Sequence, residues 1–302
     1  MKRTHIGGQA VIEGVMMRGK KNYAVAVRDT KGNINIDEEF FSKKERAKIL
    51  KLPLVRGVVA FIDSMITGYK ILNKSFDMAG LEEEEELSKF EQYLTNKFGE
   101  KLNSIIIGIS AVLGICLSVL LFMWLPVFLA SFLRPIINNN IYVLSFFEGI
   151  IRFGIFLIYL VLISKNKDVK RLFKYHGAEH KTINTFEAEK ELTVNNVREH
   201  SRFHNRCGTS FLVFVIIISM LFFMLVPSTN VATRLVSRIV FVPFIAGVSY
   251  EVLKWAGSSS SKFVKIVSYP GIKLQHLTTK EPDDDQIEVA IAAMERVLES
   301  EL

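Results

Sequence analysis

YHGAEHK, residues 175–181, sets His176 and His180 four residues apart with Glu179 between them. On a helix, positions four apart lie on one face about a turn from each other, so both imidazoles can reach a single ion. Glu179 is three residues from His176 and falls near the same face. Two neutral ring nitrogens would hold the ion, and a carboxylate held back from it would remain a base. The chain has six histidines, and His176, His180, His200 and His204 fall within 29 residues.

A second group follows in EHSRFHNRCG, where His200 and His204 are four apart and Cys207 stands three further on. Imidazole and thiolate are both good zinc ligands, and two such clusters about 20 residues apart suggest a helix–loop–helix closing on one divalent ion, with zinc the expected metal. The preferred ligands are His176, His180 and His204 with Cys207 behind, then His200. Glu251 is a further candidate. The order His-x-x-Glu-His is that of the inverted zinc metalloproteases, which gives Glu179 the part of the base acting on bound water. Arg202 and Arg206 add positive charge suited to an anionic substrate or transition state. The competing reading is a polar membrane surface, with His and Arg meeting headgroups and Cys207 a small buried residue.

The elements that must carry these residues are dominated by membrane-type segments. Apolar residues make up 49% of the chain and are concentrated in a few dense runs. Ile105 to about Phe132 has no charge and is long enough to cross a bilayer, with Pro126 as a kink point. Ile141 to Ile163 carries Glu148 and Arg152, four apart and able to pair on one face. Ser210 to Val226 is short and apolar, and Leu235 to Ala256 contains Arg238, Pro243, Gly247, Glu251 and Lys254. Four spans are expected, and the formal charge of +7 fits a membrane protein's basic loops better than a nucleic-acid partner. The stretch from Ser164 to Cys207 holds ten Lys or Arg residues, which places it and both termini in the cytoplasm. The start has no signal-peptide core, and the two cysteines do not suggest a disulfide framework.

Around the spans, NYAVAVRDTKGNINI reads as a hairpin and GGQAVIEGVMMRG as its glycine-rich partner. Residues 52–72 read as an interfacial or re-entrant helix, and the acidic run Leu81–Leu87 as a solvated one. YPGIKLQHLTT reads as a turn and a strand. DDDQIEVAIAAMERVLES reads as an amphipathic helix with Ile287, Ala290, Ile291, Met294 and Leu298 on one face. The expected fold is a polytopic α-helical membrane protein with about four transmembrane helices, an interfacial helix and a small α+β cytoplasmic domain built from the two termini. Its parts are a strand-rich segment at 1–50, the interfacial and acidic helices at 51–102 and two spans at 103–163. A cytoplasmic histidine–cysteine loop at 164–208, two further spans at 209–257 and a strand with an amphipathic helix at 258–302 complete it.

GGQAVIEGVMMRG at 7–19, YHGAEHKTIN at 175–184, HNRCGTSF at 204–211 and YPGIKLQHLTTKEP at 269–282 together resemble the signatures of the DUF1385 or YqhQ-like family. This is a bacterial group of uncharacterised membrane proteins with relatives in photosynthetic lineages. The resemblance covers nearly the full chain and implies a metal-dependent enzyme. It points to His176, Glu179, His180, His204, Arg206 and Cys207, and at the front to Gly8, Gln9, Glu13, Gly14, Met17, Arg18 and Gly19. His200 lies outside the pattern.

The functional expectation is metal-dependent hydrolysis of a peptide or lipid-linked substrate at the cytoplasmic face of the cell membrane, with Glu179 and Arg206 catalytic. The alternative is a non-catalytic scaffold, assembly or regulatory factor with a structural metal. Membrane lipids, and a membrane-protein partner or second copy, are the expected partners. Segments 7–19 and 175–207 are expected to meet at one site.

Overall fold

The structure, a computed structural model, describes residues 5–41, 47–81, 101–204, 206–225, 230–258 and 261–301. Most of the acidic run at 81–87 lies outside them. Strands β1 (Gly7–Val11), β2 (Gly14–Arg18), β3 (Asn22–Arg28) and β4 (Ile34–Phe40) form one antiparallel meander in sequence order. The segment expected to be a hairpin, 22–36, is one (β3–β4), and its glycine-rich partner at 7–19 pairs with it through β2 and folds back on itself as β1–β2. Asp29 closes the β3–β4 turn, its Oδ1 accepting from the backbone N–H of Lys31 (2.9 Å) and Asn33 (2.8 Å).

Ten α-helices follow among the described residues: α1 (Val55–Ala79), α2 (Lys101–Val119), α3 (Leu125–Ser131), α4 (Ile141–Ile163), α5 (Lys167–Glu187), α6 (Val194–Glu199), α7 (Thr209–Leu225), α8 (Val231–Ser258), α9 (Lys262–Thr278) and α10 (Asp284–Glu301). A π-helical turn, Leu120–Trp124, joins α2 to α3. Among the described residues three stretches are long and apolar enough to cross a membrane: Gly108–Ser131, Ile141–Ile163 and Ala232–Ala256. The third apolar run is carried by Phe211–Leu225, a shorter helix. At 1.5 Å per residue it reaches roughly 22 Å, less than the ~30 Å hydrocarbon thickness.

The contacts divide the chain into two compact units. One comprises Met1–Leu81, Tyr159–Ile218 and Val242–Leu302. Its sheet is covered on both faces, so successive residues of β2 and β3 alternate between two apolar surroundings and nearly all are buried. Val15, Met17, Ala24 and Ala26 pack against α5 and α10, through Tyr175, Ala178, Ile287, Ala290 and Met294. Val11, Met16, Val25 and Val27 face the other way and pack against Ile71 and Ala79 of α1. The carboxy-terminal helix thus closes the amino-terminal sheet, with the expected apolar positions inward and Leu298 at the edge of that core. In the same unit Phe214 of α7, Ala256 of α8 and Val264 of α9 form a further cluster.

One element differs in type from the sequence reading. YPGIKLQHLTT is the second half of α9, not a turn and strand. Ser261 caps this helix by accepting from the Val264 N–H, and the buried positions Val264, Ser268, Gly271, Leu274, Gln275 and Thr278 recur at helical spacing. Pro270 sits exposed on the outer face, so the tertiary packing of the inner face outweighs the local break at Pro-Gly.

The second unit, Glu82–Ile158 and Ser219–Phe241, holds the π-helical turn. Pro126 has no N–H to offer the carbonyl four residues back, that of Phe122. That oxygen accepts from Arg152 Nε at 3.0 Å.

Candidate metal centre

Helix α5 presents one face to the 198–207 segment and to the end of α9. Asn166 starts the helix, its side chain accepting from the N–H groups of Asp168 and Val169. Gly177 makes the close approach possible: a Cβ there would lie 2.0 Å from the Lys280 carbonyl oxygen. The Lys280 N–H in turn donates to the Phe173 carbonyl at 2.9 Å.

On this face the structure brings together His176, His180 and Cys207, with one ligand atom from each within 4.8 Å of the others. His176 Nδ1 lies 2.8 Å from the Thr278 carbonyl oxygen and His180 Nδ1 lies 2.7 Å from that of Arg202. A carbonyl can only accept, so both Nδ1 atoms carry protons and the Nε2 lone pairs are left for the centre. His176 Nε2 is 3.3 Å from Cys207 Sγ. Zinc–nitrogen and zinc–sulfur bonds in tetrahedral array would separate such atoms by about 3.5 Å. Burial pushes the His180 imidazole below its ordinary pKa, toward the neutral form a ligand needs. The Cys207 sulfur also meets Thr209, at 3.4 Å from its N–H and 3.1 Å from its Oγ1. The donor set therefore fits a borderline-soft divalent ion with a fourth position left over.

Glu179 is buried beside this group. Its carboxyl is pushed up to about 7, by burial first, with the nearby His176 and a hydrogen bond from the Gly8 N–H working in the opposite direction. Oε2 has no hydrogen-bond partner among the described residues. Gly8 is required for the approach, since a Cβ there would stand 2.8 Å from both Cγ and Cδ of Glu179. The glycine-rich front segment thus lies against the histidine helix. Glu13, in the same segment, pairs with Arg171 through both oxygens and accepts from the Tyr175 hydroxyl at 3.3 Å.

The remaining candidates stand apart from the group of three. His204 lies next to it, its ring 5.7 Å from that of His180, but its Nε2 faces Glu187 Oε2 at 3.6 Å. Glu187 also pairs with Arg206. His200 Nδ1 bonds the Asn196 carbonyl oxygen at 2.8 Å. Glu251 is committed elsewhere, to the guanidinium of Arg56, with 2.6 Å from Nε to Oε1.

Four positioning residues escaped the sequence reading. Gln275 clamps His204, accepting from its N–H (2.9 Å) and donating to its carbonyl (2.8 Å). Glu281 pairs with Lys181 (2.9 Å) and Arg202 (3.3 Å). Thr278 orients His176, and Glu187 anchors Arg206. Apart from Glu187, all belong to the tail stretch LQHLTTKEP, whose polar density was the available signal.

The profile of a family described as protein of unknown function (DUF1385) matches residues 52–300. A Bacillus subtilis (strain 168) protein described as uncharacterized protein YqhQ is 39% identical over 302 residues, spanning 98% of this chain and 92% of its own. No solved structure matches the chain significantly.

Proposed function

The chain belongs to the DUF1385 family, and we propose that it is a metal-dependent hydrolase acting on a peptide or lipid-linked substrate at a membrane surface. One observation carries this reading. A buried carboxyl, Glu179, with one oxygen unpaired among the described residues, stands beside a three-member ligand group that leaves a fourth position open. A structural site has no use for that acid. His176, His180 and Cys207 would hold the ion, zinc being our choice, and a bound ion would supply Lewis acidity at its open position. Glu179 would take up and return a proton at Oε2, poised near neutrality by burial. Arg206, anchored by Glu187, would steady negative charge on the substrate.

For the setting, we place the protein in the cell membrane with the short helix α7 as a fourth span. The positive-inside count then puts both termini and the metal centre in the cytoplasm, in contact with membrane lipids.

The experiment is metal analysis by mass spectrometry on detergent-purified protein, followed by cobalt loading. Near one ion per chain is expected, lost in His176→Ala/His180→Ala. In cobalt-loaded protein, Glu179→Gln should keep the metal and move the pH midpoint of the visible spectrum. Wild-type protein that neither contains nor takes up a divalent ion overturns the proposal.

A second reading has its own support. The group is tied together from α5, the 198–207 segment, the end of α9 and β1, so an ion there would also staple distant segments. If Glu179→Gln fully restores a deletion strain while His176→Ala does not, the scaffold reading replaces the hydrolase.

A further inference from the structure

The second unit has a polar centre of its own, and it is out of electrical balance. Glu148 of α4 is 1% exposed, and Arg234 and Arg238 of α8 are each 4% exposed. Glu148 Oε1 meets Arg152 at 2.8 Å and also Arg238, while Oε2 meets Arg234. Among the described residues of this unit Glu148 is the only acidic side chain, so three guanidinium groups against one carboxylate leave a surplus of two positive charges. Arginine does not shed its charge by deprotonating in proteins. A charge buried without compensation is strongly unfavourable, even after the surroundings relax.

The surplus has specific atoms. Arg234 Nη1 and Arg238 Nε and Nη1 are buried and have no hydrogen-bond partner among the described residues. Two of the arginines are held by other groups as well: Arg152 donates to the Phe122 carbonyl, and Arg238 lies 5.4 Å above the Phe223 ring. Glu148 is the eighth residue of α4, and Arg234 and Arg238 are the fourth and eighth of α8. At 1.5 Å per residue these positions lie roughly 5–10 Å inside the helix ends, which is headgroup-to-acyl depth in a bilayer.

We propose that this arginine cluster binds a phosphate-bearing anion at the membrane, with the open donors of Arg234 and Arg238 taking its oxygens. The planar guanidinium fork matches phosphate oxygens in pairs, and the anion offsets the surplus, by one charge for a phosphodiester and by up to two for inorganic phosphate. The same chemistry is offered by a phospholipid headgroup and by free phosphate. The site is independent of the histidine–cysteine group and does not rest on the hydrolase reading.

The test uses full-length protein in phosphatidylcholine nanodiscs with and without phosphatidylglycerol, with native mass spectrometry of bound lipid after detergent release. Retention of phosphatidylglycerol is expected, reduced by about tenfold or more in Arg234→Gln/Arg238→Gln. Saturable binding of inorganic phosphate that displaces the lipid would assign the site to the soluble anion instead. Where the double glutamine variant does not fold, Arg234→Lys/Arg238→Lys keeps the charge and loses the fork, and a loss of similar size is expected. Wild-type protein that selects neither phosphatidylglycerol nor phosphate overturns the proposal whatever the variants do. Equal binding in wild type and a folded variant overturns it as well, and leaves the cluster as an internal ion-pair network.

Discussion

The backbone N–H of Gly8, on the first strand, donates to the buried carboxyl of Glu179, on the helix that carries the histidines. Two segments 171 residues apart in the chain therefore meet at the one acid the proposed chemistry needs. A methyl group at position 8 would contact Cγ and Cδ of Glu179 and also the Met16 carbonyl oxygen, each at 2.8 Å. The last is backbone of the neighbouring strand and cannot rotate away. Gly8→Ala is expected to destabilise the fold by about 1–3 kcal/mol, read as a fall in the thermal transition, whereas Gly7→Ala, with open space around its Cβ, should be nearly silent.

Metal content should rank the candidate ligands as the geometry does. His176→Ala, His180→Ala and Cys207→Ser are each expected to lose the ion on gel filtration. His204→Ala and Glu251→Gln should keep it, since His204 faces Glu187 and Glu251 is held by Arg56. Loss of metal in Glu251→Gln with the fold intact would contradict this ranking.

The carboxyl of Glu179 makes a pH-dependent contribution to the metal-free fold. Its ordinary value of 4.5 rises to about 7 on folding. A raised folded value means the native state keeps a proton that the unfolded chain has released, so native stability falls as pH climbs from 4.5 to 7 and then levels off. Glu179→Gln has no proton to lose. Its stability relative to wild type should improve across that window, by up to about 3 kcal/mol, in denaturant titrations of metal-free protein. A difference that does not vary with pH would show the acid to be solvated.

Gly177 tests the role of the tail. A Cβ at 177 would strike the Lys280 carbonyl oxygen, so Gly177→Ala must push residues 278–280 away from α5. The Nδ1 bond from His176 to Thr278 goes with them. Metal affinity should fall by roughly 10- to 100-fold, as for loss of other outer partners of a metal-binding histidine, measured by chelator competition. Gln275→Ala, which frees His204 but leaves Thr278 in place, should lower stability more than metal affinity.

Much of the architecture was legible because it is written in local patterns. The apolar runs at 105–132 and 141–163, the period-two hairpin at 22–36 and the amphipathic helix at 284–301 each carry a signal that needs no distant partner. The stretch 269–279 was misread for the same reason: Tyr-Pro-Gly is a turn signal locally, and only the packed inner face of α9 overrules it. The Glu148–Arg152 pair was legible as an i,i+4 spacing, but Arg234 and Arg238 joining it was not, since they lie on another helix.

The sequence by itself determined the membrane-type helices, the order of the strands' hairpins and the set of side chains able to bind a metal. These follow from hydrophobic period, turn chemistry and residue type, which are properties of short windows. Only the tertiary structure decided that Cys207, rather than His204 or Glu251, stands with His176 and His180, and that Gly8 reaches Glu179. Helical spacing says which residues share a face but not which face meets which. That choice is made by long-range packing: Gly177 against Lys280, Gln275 around His204, and the sheet between α1 and α10.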